Sequence, residues 1–500
     1  MSNVILIGGI SYDSYGRPLG PYRLRTAAES AGYSLKVVDY AWAFDEQKLF
    51  SLLQKLISKE TRVLGISAAW FDFFYDKSAN QWATESFFSK VRAYYPDLII
   101  VIGGTKLNAH SMLTGNANWF ITGFSDIAFI KLLDYIFKNK SDGLIYTEKS
   151  NRLKTKIIDG DIHYTISNMD ELETIFKKED NFLEYQPVPL EVSRGCIFKC
   201  SFCTHPFLGK KSYDYIRSPG SLAKELARNY NLFGTYRYTI SDDTFNDSYE
   251  KISIVEQAVK LANLPKFEFV GYIRPELLVT KTDMLSRLLS LGLKGCHLGV
   301  ESMDNDARKL VGKGMDIDRI LTVVENLRTN NVRVHASFIA GLPNETEKSV
   351  YQTNDFLIEN RQKYFHSWSW NGLGLIKGAG ANDSYSLFEK NPAAYGIETS
   401  IIENSMFLDW KNTLGITAAK ATKMAYNCNS KARPYQQFAG WSLAQAWYHA
   451  LTEEQIQNET QQSLKINAIA KKNGLDRAEK NYSQIINTPY TKTRYKKPSI

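Results

Sequence analysis

The chain has 500 residues, of which 44% are hydrophobic and 23% are charged, as expected for a protein that buries a large core. No run of about 18 uncharged apolar residues occurs, and the N-terminal residues lack the features of a signal peptide. The sequence therefore predicts a cytoplasmic protein without a membrane span. The formal net charge of +8 is compatible with an anionic partner, nucleic acid included, or with a surface that is merely basic.

Residues 1–140 alternate short apolar runs with helix-like segments. Apolar strands separated by helices predict a Rossmann-like, doubly wound parallel sheet that is covered on both faces. Small residues, among them Ser67, Gly103 and Gly104, stand near the C-terminal ends of these runs, where open sheets of this kind have their ligand crevice. They either line a ligand site or only form tight turns. The apolar runs are Val4–Ile7, Leu35–Val38, Val63–Ser67, 98–102 and Trp119–Thr122.

The rest of the chain divides into three further parts. Residues 141–185 are polar and charged, and they predict a linker or a linker with a small hairpin. In residues 186–360, strand-like runs again alternate with helical patterns, which predicts a full or partial parallel barrel with catalytic residues at its strand ends. Residues 361–500 are predicted to form a mostly helical domain, with helices over 406–422 and 438–464.

Three of the five cysteines, Cys196, Cys200 and Cys203, follow the strand-like run 187–192. Clustered cysteines in a reducing compartment indicate metal binding or catalysis, and thiolates are the usual ligands of iron–sulfur clusters. Four thiolates would saturate a cubane cluster. Three leave one iron open, and an open iron can bind a small molecule through that molecule's own donor atoms.

Two alternatives to a cluster remain: a structural zinc site with His205 as the fourth ligand, or three unrelated cysteines. The C-x-x-x-C-x-x-C spacing, the aromatic Phe202 before the third cysteine and the preceding strand favour the cluster. The other two cysteines, Cys296 and Cys428, are predicted to be buried and structural.

The cysteine spacing with its aromatic residue resembles the signature of the radical S-adenosylmethionine (SAM) superfamily. Further motifs resemble this superfamily in the expected order along residues 190–350. The resemblance implies a [4Fe-4S] cluster and SAM, which the enzyme cleaves reductively to a 5′-deoxyadenosyl radical. The motifs are Arg217-Ser-Pro219 with Glu225, 241–246, Arg274, 295–302, Lys313-Gly314 and 338–346.

The resemblance also implies contacts to the cofactor. Asp242 and Asp243 would accept hydrogen bonds from the methionine ammonium, unless these two acids only cap the next helix. Glu301 would bind a ribose hydroxyl or the same ammonium. Arg217 and Arg274 would pair with the methionine carboxylate or only with nearby acids. The other expected contacts are Phe202, Ser302, Ile339, Gly341 and Glu345. No catalytic residue can be assigned from the sequence.

The N-terminal part resembles the cobalamin-binding domain that precedes this core in one large subfamily. The resemblance implies that cobalamin binds near Ser67, Gly103 and Gly104, although the D-x-H-x-x-G motif of other cobalamin proteins is absent. Methylthiotransferases of the same superfamily carry three additional cysteines in their N-terminal domain. No cysteine precedes Cys196, so the sequence does not fit that class.

Three hypotheses follow for the function. The first is a cobalamin-dependent radical SAM methyltransferase that acts on an unactivated carbon. The second is a cobalamin-independent radical enzyme for a rearrangement, an oxidation or a nucleic-acid modification, and the third is a non-enzymatic metal-binding module. The expected partners are a small-molecule or anionic substrate, or nucleic acid, and an external electron donor such as flavodoxin or ferredoxin.

Overall fold

The computed structural model describes most of the chain, and its contacts divide the chain into two compact units. The first unit comprises Met1–Ser167, Glu171–Asn181 and Asn467–Ile500, and the second comprises Asn168–Asp170 and Phe182–Ile466. The sequence-based domain boundaries near 140, 185 and 360 stay predictions. The described residues are 2–8, 17–39, 41, 44, 46–67, 80–104, 117–148, 154–164, 166, 168–180, 182, 186–203, 215–375, 386–402, 407–448, 451–452, 454, 456 and 482. Within these ranges, no helix is long and apolar enough to cross a membrane.

The first unit contains a seven-stranded sheet. Its strands in chain order are β1 (Val4–Ile7), β2 (Leu35–Val38), β3 (Val63–Ser67), β4 (Ile99–Gly104), β5 (Trp119–Thr122), β6 (Thr147–Glu148) and β7 (Lys156–Asp159). They are arranged in the order β2-β1-β3-β4-β5-β7-β6, and only β6 runs antiparallel. The order 2-1-3-4-5 is that of a doubly wound sheet, which has its ligand crevice at the C-terminal ends of β1 and β3.

Helices connect the strands of this sheet, and the central strands are buried because helices cover both faces of such a sheet. All four residues of β1 are buried, as are the first four of β3. The predicted Rossmann-like fold is confirmed. The helices are α1 (Leu19–Ser30), α2 (Glu46–Leu56), α3 (Asn80–Tyr94), α4 (Asp126–Lys138) and α5 (Gly160–His163).

The second unit contains a six-stranded, fully parallel sheet. Its strands are β8 (Val188–Leu190), β9 (Arg237–Ile240), β10 (Glu268–Ile273), β11 (Leu293–Glu301), β12 (Arg333–Ala340) and β13 (Ser367–Gly372). They are arranged in chain order from β8 to β13, and each strand pairs with the next. Strands β8 and β13 are the edges, so the sheet does not close. This agrees with the predicted partial barrel.

Helices follow the strands of this sheet, and further helices complete the second unit. They are α6 (Pro219–Phe233), α7 (Tyr249–Leu261), α8 (Pro275–Thr280), α9 (Met284–Leu291), α10 (Asn305–Leu310), α11 (Ile317–Thr329), α12 (Glu347–Glu359), α13 (Leu387–Lys390), α14 (Ala418–Ala432) and α15 (Trp441–Tyr448). An antiparallel pair, β14 (Ile397–Ile401) and β15 (Leu408–Asn412), lies between α13 and α14.

The helix predicted over 406–422 is wrong in its first part. Strand β15 occupies Leu408–Asn412, and helix α14 begins only at Ala418. The side chain of Asn412 accepts hydrogen bonds from the backbone N–H groups of Leu414 and Ile416, and Gly415 has a φ of +75°. This turn separates strand and helix because its left-handed residue is incompatible with a continuous helix. The helix predicted over 438–464 agrees with the structure only over α15, because residues 438–440 and 451–452 are not helical, and its end at 457–464 lies outside the described residues.

Side-chain amides cover the free edge of β13. The Asn429 amide accepts from the Trp370 N–H and donates to the Trp370 carbonyl, both at 2.8 Å. The Gln436 amide binds the backbone of Trp368 in the same way, at 2.8 and 2.6 Å. An uncovered edge strand presents unpaired N–H and C=O groups. Here two amides take the hydrogen bonds that a neighbouring strand would otherwise make.

Candidate active site

The three clustered cysteines lie on the loop after β8, at the C-terminal edge of the second sheet. Cys200 is buried, Cys196 and Cys203 are half-buried, and all three are free thiols. They line one cavity of about 410 Å³. Among the described residues, no three His, Cys, Asp or Glu side chains are placed to hold a single metal ion. A cubane cluster does not need such convergence because each thiolate binds a different iron, so the three thiols fit a cluster. His205 lies outside the described residues.

Asp242 fixes the start of the cysteine loop. Its carboxylate accepts hydrogen bonds from the Val192 N–H at 2.8 Å, the Ser193 N–H at 3.1 Å and the Ser193 hydroxyl at 2.7 Å. Burial raises the pKa of Asp242, and Lys251, whose Nζ lies 3.3 Å away, opposes this rise. Asp242 does not line the cavity, so its position does not support the predicted contact with the methionine ammonium.

Asp243 lines the cavity, and its contact with the methionine ammonium stays a prediction. The alternative that these two acids cap the next helix is not what the structure shows. The N-cap of α7 is Ser248, whose side chain accepts from the Lys251 N–H. The adjacent carboxylates therefore have different positions: one supports the loop, and the other faces the cavity.

Two side chains contact the cysteine sulfurs. The Thr244 hydroxyl lies 3.3 Å from Cys196 Sγ, and an Arg274 N–H donates to Cys200 Sγ at 3.4 Å. The Arg274 guanidinium also lies 3.8 Å from the centre of the Phe198 ring and donates to the Gly312 carbonyl at 2.9 Å. Hydrogen bonds to the sulfurs stabilise thiolates and tune a cluster's reduction potential.

Arg274 lines the cavity and its Nε lies 3.3 Å from Glu276, whereas its contact with the methionine carboxylate stays a prediction. Arg217 likewise pairs with an acid. Its fully buried guanidinium donates to Glu225 at 2.8 Å and to the Ser221 hydroxyl at 2.9 Å. Arg217 does not line the cavity, so its position does not support the predicted contact with SAM. It instead ties α6 to the strand end before the cysteines.

Glu301 projects into the cavity from the end of β11 with an unusual backbone. Its φ is +67°, and the register between β11 and β12 shifts between Gly299 and Glu301. A non-glycine residue in this region costs roughly 1–3 kcal/mol and is found mostly at functional sites. Burial raises the pKa of Glu301, while Lys313, 3.7 Å away, opposes the rise. A Cβ at Gly299 would lie 2.3 Å from a Glu301 oxygen, so a larger residue there would displace the Glu301 carboxylate.

Ser302 and Glu345 form a buried pair beside the cavity without lining it. The Ser302 hydroxyl donates to one Glu345 oxygen and accepts from the Asp304 N–H at 3.0 Å. Burial raises the pKa of Glu345 to about 8. Ile339 lines the cavity, as do Phe202 and Glu301, whereas Gly341 does not. A Cβ at Gly341 would lie 2.7 Å from Trp410, so this glycine allows the C-terminal part to pack against β12.

The residues predicted to contact cobalamin lie at the C-terminal ends of β3 and β4. Ser67 and Gly103 are partners in the parallel register, and Gly104 pairs with Thr122. All three predicted residues are half-buried. The adjoining segments 68–79 and 105–116 lie outside the described residues, so this site stays a prediction.

The sequence did not identify the polar residues deeper in the cavity. Tyr272, His297 and Ser337 line it, and Tyr272, His297 and His335 lie in one row across β10, β11 and β12. The His297 and His335 ring centres are 4.4 Å apart. Burial lowers the pKa of His335 to about 4 and that of His297 well below its usual value, so both are neutral. The sequence did contain a signal, because His297 and His335 each interrupt an apolar run. That signal becomes informative only once the register between β11 and β12 is known.

Comparison with known proteins identifies the family. Residues 190–357 match the model of the Radical SAM superfamily. A bacteriochlorophyllide d C-12(1)-methyltransferase of Chlorobaculum tepidum is 27% identical over 222 residues, which are 40% of this chain and 45% of that protein. A tRNA-2-methylthio-N(6)-dimethylallyladenosine synthase of Buchnera aphidicola is 22% identical over 289 residues, which are 55% of this chain and 61% of that protein. This chain thus spans about half the length of these two relatives. An uncharacterized methyltransferase of Pyrococcus horikoshii is 24% identical over 363 residues, which are 68% of this chain and 73% of that protein.

Two solved structures share the fold. The radical SAM methyltransferase TsrM from Kitasatospora setae, with cobalamin and a [4Fe-4S] cluster bound, has a TM-score of 0.58 at 15% identity and covers 81% of each chain. The cobalamin-dependent radical enzyme OxsB has a TM-score of 0.54 at 14% identity and covers 71% of this chain and 52% of its own. The matched residues 190–357 contain the three cysteines and strands β9 to β12, whereas β13, which also lines the cavity, lies beyond them. Residues 190–357 therefore form a Radical SAM region, and the predicted class, a radical SAM enzyme, is confirmed.

Proposed function

We propose that this chain is a cobalamin-dependent radical SAM methyltransferase that acts on an unactivated carbon. The observation that carries the proposal is the combination of two features in one chain. Three thiols and two acids line one cavity at the strand ends of the second sheet, and a 2-1-3-4-5 parallel sheet precedes them. The fold likeness to TsrM and OxsB over both parts supports it.

Cys196, Cys200 and Cys203 would hold a [4Fe-4S] cluster. When bound, such a cluster supplies the electron that cleaves the carbon–sulfur bond of SAM. Arg274 and Thr244 contact two of the three sulfurs and would favour their deprotonated form. Asp243 and Glu301 supply carboxylates in the same cavity and would accept hydrogen bonds from the ammonium or the ribose hydroxyls of SAM.

The half-buried Ser67, Gly103 and Gly104 fit cobalamin because they leave the ends of β3 and β4 without large side chains. A ligand can therefore approach the backbone at this crevice. Cobalamin supplies a carrier for the methyl group when it is bound. In this proposal the first unit binds the carrier, and the second unit binds the cluster, SAM and the substrate.

A cobalamin-independent radical enzyme that modifies nucleic acid is a second candidate. The observation that favours it is a strongly basic cavity at the other edge of the second sheet, lined by five Lys and Arg side chains. The two candidates differ in one measurable property, which is the binding of cobalamin.

The test uses the full chain, purified and reconstituted without oxygen. We expect about four iron and four sulfide per chain, cobalamin absorbance after incubation with hydroxocobalamin, and 5′-deoxyadenosine from SAM under reducing conditions. Cys200→Ala should abolish iron binding and SAM cleavage. The matched control is Cys428→Ala, because Cys428 lies on α14 and burial raises its pKa to about 12, which leaves it a neutral thiol.

Each result has a definite meaning. Bound zinc without iron would contradict both candidates. A cluster that cleaves SAM in a protein that does not bind cobalamin would contradict the methyltransferase proposal and support the second candidate. Loss of iron in the Cys428→Ala control would show that the loss in Cys200→Ala is not specific to the cluster loop.

A further inference from the structure

The inner face of the second sheet carries hydrogen-bonding side chains where the strands of a barrel usually carry branched apolar ones. Side chains alternate between the two faces of a strand, and partners in a parallel register point to the same face. On this face β11 presents His297, and β12 presents His335 and Ser337. Between its charged ends, the inner face is therefore polar but uncharged. The neighbouring strands add Tyr272, Ser367, Ser369 and Asn371.

The cavity that the three cysteines line has its charges at one end and an uncharged floor at the other. His297 and Ser337 form this floor, because they stand three or four residues before the ends of β11 and β12. That offset places them roughly 10 Å below the strand ends, since an extended strand rises about 3.3 Å per residue. Among the described residues, the charged side chains that line the cavity lie at the strand ends or in loops, and they are Asp243, Arg274, Glu301 and Lys313.

The two residues of the floor are joined by a hydrogen bond between His297 Nε2 and the Ser337 hydroxyl. The other ring nitrogen, His297 Nδ1, is buried and has no hydrogen-bond partner in the described part of the chain. A buried N–H without a partner is rarer in proteins than a buried acceptor without one. The proton of the neutral ring is therefore on Nε2, which donates to the Ser337 oxygen. The hydroxyl proton of Ser337 is then left to be donated, and no acceptor for it lies among the described residues.

His335 supports His297 from the neighbouring strand. Its ring nitrogens lie 2.8 Å from Ser367 Oγ and 3.1 Å from Ser369 Oγ, so both nitrogens have partners. The centre of its ring lies 4.4 Å from that of His297. Burial lowers the pKa of both histidines, which keeps the two rings neutral. The hydrogen bond from His297 to Ser337 is thus held in one arrangement by a layer that is itself satisfied.

We propose that Ser337, positioned by His297, donates a hydrogen bond to the substrate and selects an uncharged acceptor, the carbonyl oxygen of an amide. An anionic group on this floor would lie away from the cations at the strand ends, and burial of an unpaired charge is costly. The exposed amide of Asn371 lines the same cavity from β13 and offers both a donor and an acceptor. A substrate amide can therefore bind to both side chains.

The inference rests on the proposed function in one respect, which is that the substrate enters the cavity that holds the cluster and SAM. It does not depend on cobalamin. Substrate and SAM would use different parts of this cavity, because the carboxylates that suit SAM lie at the strand ends, whereas Ser337 lies below them. A substrate bound to the floor would extend from there toward the cysteines, so its reacting carbon would lie on the side of the cluster.

The experiment uses benzamide as the probe and benzoate as its charged counterpart of similar shape. The ring of both probes suits Phe202 and Tyr272, which line the cavity. Binding to the full chain, reconstituted with its cluster and SAM but without a reductant, is titrated by saturation-transfer difference NMR. We expect benzamide to bind at least about tenfold more tightly than benzoate. Ser337→Ala should weaken benzamide about three- to tenfold, which is the loss expected for one hydrogen bond.

Two further measurements separate binding from a structural role. Ser369→Ala is the matched control, because Ser369 pairs with Ser337 in the register and contacts His335 but does not line the cavity. It should bind benzamide as the parent does, and both variants should keep the iron content of the parent. Nitrogen-15 NMR of the parent's histidine rings, with the His297 signals assigned from His297→Gln, should show the proton on Nε2 at neutral pH. This measurement does not depend on how Ser337→Ala folds.

Several results would overturn the proposal. They are the absence of saturable benzamide binding, equal affinity for benzamide and benzoate, unchanged benzamide affinity in Ser337→Ala, an equal loss in Ser369→Ala, and a proton on Nδ1 of His297. None of these measurements involves cobalamin. A chain that does not bind cobalamin but binds benzamide through Ser337 would contradict the methyltransferase proposal and support this inference. A chain that binds cobalamin but not benzamide would do the reverse.

Discussion

The two edges of the second sheet carry similar side chains in opposite arrangements. At the C-terminal edge each cation lies near an acid: Arg274 near Glu276, and Lys313 near Glu301. At the N-terminal edge one acid, Glu268, lies near three cations, Arg237, Lys266 and Lys294. The difference indicates that the two edges have different tasks. Paired charges of both signs at the C-terminal edge suit a zwitterionic ligand, whereas the ion cluster around Glu268 links the first residues of β9, β10 and β11 to one another.

The acids at the two edges also differ in how their ionisation affects the stability of the folded state. Burial raises the pKa of Glu301 and of Glu345, so their ionised forms are unfavourable in the folded state. Perturbed acids of this kind are typical of functional sites. Glu268, in contrast, is nearly buried among three cations, and its ionised form stabilises them.

The largest effect is expected from Glu268→Gln. The change removes the carboxylate that lies near Arg237, Lys266 and Lys294. Because Lys266 and Lys294 are about half exposed, most of the expected cost, up to about 3 kcal/mol, comes from the largely buried pair with Arg237. Urea unfolding at low salt should show this loss. Glu256→Gln is the control, because Glu256 pairs with Arg287 in a more exposed position and should cost less than about 1 kcal/mol. Equal losses of unfolding free energy in Glu268→Gln and Glu256→Gln would contradict the expectation that the more buried acid contributes more to stability.

A smaller effect is expected from the pH dependence of Glu345. Its pKa of about 8 in the folded state lies above the value near 4.5 of an unfolded chain, so the folded state binds the additional proton between these values. Stability is therefore fully present below the unfolded pKa and is lost as pH rises toward 8. Relative to Glu345→Gln, the parent should lose roughly 2 kcal/mol between pH 5 and pH 7 in urea unfolding. Parallel pH profiles of the two proteins would contradict this assignment.

The smallest effect is expected at the cysteine edge and concerns the cluster. Arg274→Gln removes a charged hydrogen bond to Cys200 Sγ, which should make the reduction potential more negative by about 60 mV, or roughly 1.4 kcal/mol for one electron. A potentiometric titration followed by electron paramagnetic resonance measures it. Arg287→Gln, on α9 and paired with Glu256, is the matched control and should leave the potential unchanged. A shift of equal size in both variants would show that Arg274 acts only through net charge.

Local sequence signals predicted the cysteine cluster and the alternation of strands and helices. Cysteine spacing is a property of one loop, and the apolar runs of the first sheet are buried on both faces, so neighbours along the chain suffice to identify them. The partners of buried charges could not be predicted in this way. Arg217 and Asp242 stand in the expected motifs, but Glu225 and Ser193 take their hydrogen bonds.

The features of the second sheet that the sequence did not predict depend on the register between its strands. The row of Tyr272, His297 and His335 exists because β10, β11 and β12 pair with particular offsets, and no local pattern determines these offsets. The basic cavity has the same origin, because it forms where the first residues of several strands meet. Net charge predicted an excess of cations, but only the parallel sheet brings Arg237, Lys294 and Arg333 to one edge.

The amides of Asn429 and Gln436 that cover β13 have a consequence for synthesis on the ribosome. The strand ends at Gly372, but its edge is closed only by residues about 60 positions further along the chain. Until those residues emerge, a nascent chain exposes Trp368 and Trp370 on an open edge that can pair with another chain. Slow translation between these segments, or truncation before Gln436, should therefore favour aggregation, because the two amides protect the sheet only after residue 436 has been synthesised.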